Sequence, residues 1–380
     1  MDRVHQTKES LNLVEKNSSK FTSKTGYIRT LDGWRTVAIW AVIYYHSRFF
    51  FVGPVDLTRL HNFCNRGVHL FFAISGILIC TRLLEEQRLH GSISLKGFYI
   101  RRVFRIQPAA IVFLSAVGIL GLAGIISETF APWLSSLLCF RNIYNAANWA
   151  TSPGDRYTVH FWSLAVEEHF YLALPLLLLI ARRRAAHVLG VLAVLFFFWP
   201  LASNHLGLSV TPLSDQRTDM VLRFLLIPAF LAVLLSRPTL RAWFTKVTSY
   251  GVLILLTIVG ILISQIFLNG HATSEVCCIG FPLMVLSTML HPGSWLGRLL
   301  ETRLFLFMGR ISYSLYLWQQ LFFLRSPEYS ILRYLQAPPW NVIAVLTCAV
   351  LSYYIVEKPL LRIGHRLAPP VTPGRTDLKA

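Results

Sequence analysis

Histidine takes and returns a proton near neutral pH, and arginine stays charged and suits a phosphate or a carboxylate. In the stretch LDGWRTVAIWAVIYYHS these two types stand ten residues apart, as Arg35 and His46. Eleven helical steps of about 100° bring His46 back to nearly the face of Arg35, about 16 Å further along the axis. One helix could therefore present both to a common cavity. The structural alternative is that Arg35 snorkels to an interface and His46 bonds a neighbouring helix.

The stretch FYIRRVFRIQP carries Arg102 and Arg105, three apart and on one face if helical, with Arg101 pointing elsewhere and Pro108 bending the chain. Paired guanidinium forks bind phosphate oxygens bidentately, so a nucleotide-like donor such as coenzyme A fits here; simple anchoring at a membrane face is the other reading. In HFWSLAVEEHFYLALPLLL, Glu167 lies about a turn and a half inside an apolar run, at a depth comparable with His46. A carboxylate there could orient the histidine or bind acceptor hydroxyls, or it could pair with Arg223. Glu168 and His169 point to other faces and read as structural.

Other polar positions read as architectural. Ser75 and Gly76 in VHLFFAISGILI suit close helix packing, and no glycine elbow surrounds the serine as a nucleophile would require. Ser312, Tyr313 and Tyr316 suit hydrogen bonds within a bundle, and Glu357 with Pro359 closes the last apolar run. The six cysteines, Cys64, Cys80, Cys139, Cys277, Cys278 and Cys348, lack the paired spacing of zinc ligands, and no metal site is expected.

The elements that must hold these groups are membrane spans. Of 380 residues, 54% are hydrophobic and only 14% charged, too apolar a surface for a soluble domain. Apolar runs long enough to cross ~30 Å of hydrocarbon recur about ten times, over 32–51, 66–84, 106–126, 161–180, 187–203, 219–236, 248–268, 274–291, 304–324 and 339–357. An all-α polytopic bundle of about ten transmembrane helices is predicted. With both termini cytoplasmic, the outer loops keep only about nine of the 36 basic residues, as the positive-inside rule demands. The formal charge of +18 is thereby explained without nucleic acid, since the basic residues do not gather in one soluble patch.

Three segments are expected: a basic cytoplasmic stretch over 1–30 without a cleavable signal peptide, a transmembrane domain over 31–362, and a loose cytoplasmic tail over 363–380. The outer connection 127–160 holds an apolar piece around Pro132 to Phe140 that is too short to span, so it should lie on the bundle or dip into it. Tyr144, Trp149 and Tyr157 in the outer loops could stack on sugar faces or serve as interface aromatics.

In this order, LDGWRTVAIWAVIYYHS, VHLFFAISGILI, FYIRRVFRIQP, FWSLAVEEHFYLALP, GRISYSLYLW and VEKP resemble the motifs of the membrane acyltransferase 3 family, from about Leu31 to Arg362. The resemblance implies a membrane enzyme that O-acylates extracytoplasmic carbohydrates from cytoplasmic acyl coenzyme A, acetyl being the expected group. The family's arginine–histidine motif falls on Arg35 and His46, its paired arginines on Arg102 and Arg105, and its fourth motif on Trp162, Ser163 and Glu167. One departure is Gln319, where many members carry histidine; the position is read as not catalytic.

Carried over to this chain, the resemblance implies donor phosphates on Arg35, Arg102 and Arg105, and His46 as general base on an acceptor hydroxyl. Glu167 would orient the imidazole or the acceptor, with no metal, and an acyl-histidine intermediate is a second route. Expected partners are acyl coenzyme A, a carbohydrate or glycolipid acceptor and the bilayer, in a bacterial inner membrane. Some relatives carry a C-terminal esterase-like domain; without one, the chain is expected to acylate its final acceptor or a separate partner. The rival reading is a proton-coupled transporter of a sugar or anion, which equally suits intramembrane His, Arg and Glu; the lack of a visible inverted repeat argues against it.

Overall fold

The computed structural model describes residues 27–47, 58–148, 156–208, 214–248, 251–267, 272–324 and 332–369. Most of the basic N-terminal segment, most of the tail, and Trp149 lie outside the described residues. Among the described residues there is no β-strand.

The helices run α1 Arg29–His46, α2 Thr58–Cys64, α3 Gly67–His90, α4 Leu95–Leu122, α5 Phe130–Leu137, α6 Arg141–Asn148, α7 Phe161–Ala181 and α8 Ala185–His205. They continue as α9 Thr218–Val221, α10 Arg223–Leu235, α11 Pro238–Thr248, α12 Val252–Phe267, α13 Thr273–Leu290 and α14 Trp295–Leu300. The last are α15 Arg303–Arg310, α16 Ser312–Phe323, α17 Leu332–Leu335, α18 Trp340–Leu351 and, after a π turn at Ser352–Glu357, α19 Lys358–Leu367.

Local chemistry explains the boundaries that matter for the site. Gly91 takes the left-handed conformation that ends α3 (φ 72°), and the Ser94 side chain then caps α4 by accepting from the Gly97 N–H at 3.2 Å. The chain thus leaves α3 and starts α4 within four residues. Between α7 and α8 the helix breaks at Arg182 (φ 46°), where three consecutive arginines form a 3₁₀ turn. Near the C-terminus Pro359 has no N–H to continue an α ladder, and the preceding turn widens so that the Lys358 N–H donates to the Tyr353 carbonyl.

Five helical stretches are long and apolar enough to cross a membrane: Thr58–His90, Leu95–Leu122, Phe161–His205, Thr273–Leu290 and Trp340–Leu367. A sixth is possible if α10 and α11, bent by 110°, form one span. Phe161–His205 has 45 residues, roughly twice what one crossing needs. The described parts of the expected runs are mostly helical, residues 48–51, 249–250 and 268 lying outside the described residues, with two internal breaks. The run 304–324 is split at Ile311 into α15 and α16, and the run 219–236 is split at Leu222.

The outer surface is apolar: Ile119, Leu122, Ile180, Val191, Leu195, Phe198, Leu255 and Phe267 are all exposed on α4, α7, α8 and α12. Exposed aliphatic faces of this extent suit lipid rather than water. Polar groups turn inward instead, and α3 is the central post, packed against α1, α7, α10 and α13. Gly76 makes the contact with α10 possible, since a Cβ there would meet the Leu225 carbonyl at 2.5 Å. A Cβ on Gly309 would overlap the Asp32 carbonyl, so α15 lies directly on the backbone of α1. The connection after α4 lies on the bundle as α5 and α6: Trp133 Nε1 donates to the Leu114 carbonyl at 2.8 Å, and Asn145 Nδ2 to Gln216 Oε1 at 2.8 Å.

Candidate active site

The first turns of α1 build one wall of a vestibule. Asp32, one turn before Arg35, accepts from its Nη1 at 2.6 Å and also accepts a short hydrogen bond from the Tyr27 hydroxyl. Partial burial, then the Asp32 carboxylate, raise the Tyr27 phenol above its ordinary pKa, which keeps it a donor at neutral pH. The vestibule is a cavity of about 380 Å³ that gathers Arg35, Arg82, Arg105 and Arg310 around two carboxylates, Asp32 and Glu357. Both acids are engaged, Asp32 as described and Glu357 by a short hydrogen bond from Ser314. The excess of guanidinium groups makes this a place for an anion.

Arg35, Leu78, Arg105, Ser312 and Tyr313 line the vestibule and also a second, narrower chamber of about 90 Å³, so the two adjoin. The chamber adds Phe71, Phe72, Ser75, Arg102, Ser163, Glu167, Tyr171 and Tyr316, from α3, α4, α7 and α16. Glu167 is clamped there: its carboxylate accepts from Ser75 Oγ at 2.7 Å and from the Tyr171 hydroxyl at 3.0 Å. The Arg102 guanidinium sits 4.4 Å above the centre of the Tyr171 ring. Among the described residues no carboxylate forms a salt bridge with Arg102 or Arg105.

The far end of the chamber is closed by a hydrogen-bonded layer. The Tyr316 hydroxyl donates to the His160 carbonyl at 3.0 Å and lies 2.6 Å from Ser163 Oγ. One turn beyond Tyr316 on α16 come Gln319 and Gln320, both fully buried. The Gln319 side chain faces the His46 imidazole there, at the far end of α1.

Sequence reasoning named Arg35, His46, Arg102, Arg105 and Glu167, and the structure distributes them. Arg35, Arg102, Arg105 and Glu167 meet at the chamber. His46 lines neither cavity, being one layer further on, and the hydrogen bonds of Glu167 go to Ser75 and Tyr171 rather than to its imidazole. Ser75, expected to serve packing, instead holds Glu167, while its neighbour Gly76 does the packing. Tyr313, Tyr316 and Glu357, expected to be architectural, make bonds within the bundle and line the cavities as well.

The alternative partner for Glu167 is excluded, because Arg223 pairs with Glu275 at 3.3 Å. Arg101 points away to Glu86 at 3.0 Å, and His169 bonds Thr218 at 2.8 Å, as their helical positions imply. Of the outer aromatics, Tyr157 is buried and Tyr144 has the Arg141 guanidinium 5.3 Å over its ring. Among the described residues no group of His, Cys, Asp or Glu is arranged to hold a metal ion. Tyr171, Asp32, Arg82 and Arg310 were not anticipated; only their position on helices already carrying Glu167, Arg35 or an adjoining motif could have pointed to them.

Comparison with known proteins gives an independent reading of the same segments. The sequence model of the acyltransferase 3 family, described as an acyltransferase domain, matches residues 28–357. A protein of Staphylococcus aureus strain COL, named provisionally as an O-acetyltransferase, is 30% identical over 375 residues, covering 90% of this chain and 58% of its own length. The O-acetyltransferase OatA of Staphylococcus aureus strain NCTC 8325 / PS 47 is 26% identical over 373 residues, with the same coverage of 90% and 58%. The chain therefore spans less than two thirds of these relatives. No solved structure matches.

Proposed function

From the premise that this chain belongs to the acyltransferase 3 family, we propose that it is a membrane O-acyltransferase. It moves an acetyl or other short acyl group from cytoplasmic acyl coenzyme A to a hydroxyl of an extracytoplasmic or lipid-linked carbohydrate. The observation that carries this reading is the arginine-rich vestibule adjoining a narrow chamber lined by Arg102, Ser163, Glu167 and Tyr316.

The vestibule is wide and cationic, suited to the phosphates of the donor on Arg35, Arg82, Arg105 and Arg310. The chamber, at about 90 Å³, is much smaller than the vestibule, and in this reading it receives the pantetheine arm rather than the nucleotide. The rise of α1 from Arg35 to His46 is about 16 Å, a length that such an arm covers. The thioester then lies near the layer of Tyr316 and Ser163. His46 takes the proton of the acceptor hydroxyl as its oxygen bonds to the thioester carbonyl carbon; the carbon–sulfur bond breaks, the electron pair leaves on sulfur, and the imidazolium returns the proton to it.

Glu167 acts indirectly. Held by Ser75 and Tyr171, it keeps the Tyr171 ring beneath Arg102. Ten membrane crossings, both termini on the cytoplasmic side and a place in a bacterial inner membrane complete the proposal, supported by the charge imbalance between the loops of the expected topology.

The test is transfer of radiolabelled acetyl from acetyl coenzyme A to an envelope glycan fraction by purified protein, beside a His46→Ala variant that inserts normally. Label on glycan with the parent protein alone supports the enzyme and its base. Equal labelling by both removes His46 from the chemistry. Substrate uptake into vesicles without any acyl transfer replaces the proposal with a transporter.

A further inference from the structure

Buried polar atoms in proteins nearly always have hydrogen-bond partners, so a group of them without any marks a place where a partner belongs. Such a group lies just beyond the Tyr316–Ser163 layer. Both ring nitrogens of His160, Nδ1 of His46 and Oε1 of Gln319 are buried and reach no hydrogen bond of good geometry. His160 is 2% exposed and Gln319 fully buried. The Gln319 amide Nε2 reaches Gln320 Oε1 by a long hydrogen bond of 3.4 Å.

The three side chains are neighbours. Gln319 faces the His46 imidazole, and His46 and His160 are close enough to bear on each other electrostatically. His160 is held from all sides by rings, with centroids of Phe113, Phe161 and Tyr316 at 5.4, 5.0 and 5.4 Å. Its main-chain carbonyl, and not its imidazole, accepts from the Tyr316 hydroxyl.

We propose that His160 and Gln319 form, with His46, a subsite for the reacting hydroxyl of the acceptor. A hydroxyl offers one donor and two acceptor sites. It can give its proton to His46 while accepting from the Gln319 amide or a His160 N–H, which fixes the oxygen on the chamber axis before attack. His160 and Gln319 are thus acceptor-binding residues, distinct from the arginines of the donor side. The inference rests on the acyltransferase reading above.

The test exploits the use of the His160 main chain, rather than its side chain, in the closing layer. His160→Phe keeps that bond and the ring packing, and Gln319→Leu keeps the volume. Initial rates are measured with labelled acetyl coenzyme A while an envelope glycan fraction is titrated, and coenzyme A binding is measured by calorimetry. Each variant is expected to raise the half-saturating glycan concentration about tenfold, the loss of a hydrogen bond or so, with coenzyme A affinity unchanged. His160→Asn, which keeps a donor and an acceptor, is expected to stay within about threefold of the parent.

Folded variants that bind coenzyme A normally and show an unchanged glycan half-saturation overturn the subsite while leaving the enzyme intact. A parallel loss of coenzyme A binding assigns the residues to the scaffold and also overturns it. If the parent protein binds acetyl coenzyme A but labels no glycan, the acyltransferase reading itself fails and takes the subsite with it.

Discussion

Arg102 and Arg105 meet the chamber without a salt-bridging carboxylate, whereas Arg35 is already paired with Asp32 at 2.6 Å. The two kinds of arginine should therefore respond differently to substitution. Arg105→Ala removes a charge-assisted phosphate contact and is expected to weaken coenzyme A binding by about 10- to 100-fold, the range for a lost hydrogen bond to a charged group. Calorimetric titration of purified protein checks this, and an affinity within twofold of the parent removes Arg105 from the donor site. Asp32→Asn should leave affinity equal or stronger, because it releases Arg35 towards the anion.

Glu167 poses a separate question at the same scale. Its two hydrogen bonds come from Ser75 and Tyr171, so Glu167→Gln retains an acceptor for one of them but loses the charge. Acetyl transfer is expected to fall at least tenfold with only a small change in the amount of folded protein. Ser75→Ala should fall less, as Tyr171 still holds the carboxylate. Equal, severe losses in both would make the Ser75 hydroxyl itself part of the reaction.

Among the elements, the contact of α15 with α1 decides the shape of the vestibule. Gly309 lies against the Asp32 carbonyl with no room for a Cβ. Gly309→Ala must push the two helices apart, at a cost of about 1–3 kcal/mol for an overpacked contact. A lower midpoint of thermal unfolding in detergent, together with weaker coenzyme A binding, is the expected result. Unchanged stability would mean that α15 shifts freely. The split of the run 304–324 belongs to the same feature: α15 follows α1 at the vestibule, and only after Ile311 does α16 carry Ser312, Tyr313 and Tyr316 along the chamber. Hydropathy alone sees one apolar run there, because Gly309, Arg310 and Ser312 are too few polar or small residues to lower the average of the aromatic and aliphatic residues on either side.

For the whole molecule, it is the proposed membrane orientation that ties the vestibule to a cytoplasmic donor. In a cysteine-free background, a cysteine at Leu89, exposed near the end of α3, should react with a membrane-impermeant maleimide only after cells are permeabilised. One at Ile143, exposed on α6, should react in intact cells. The reverse pattern would place the vestibule outside and remove the cytoplasmic donor from the proposal.

Much of this molecule could be read from sequence because the membrane imposes simple rules. Apolar runs of spanning length had to become helices, since backbone groups in hydrocarbon must be satisfied within the chain. Charged residues interrupting those runs, Arg35 and Glu167 among them, were costly enough to stand out as inward-facing. The helical period placed Arg102 and Arg105 together and sent Arg101 to Glu86. What one helix cannot specify is which residue of another helix it meets. Only the packed bundle brought Ser75 to Glu167 across 92 positions of sequence and Ser163 to Tyr316 across 153. Only it set His46 beyond the chamber, facing Gln319 and near His160. Periodicity decides the face a side chain takes; helix crossings and close approaches, such as those at Gly76 and Gly309, decide its neighbours.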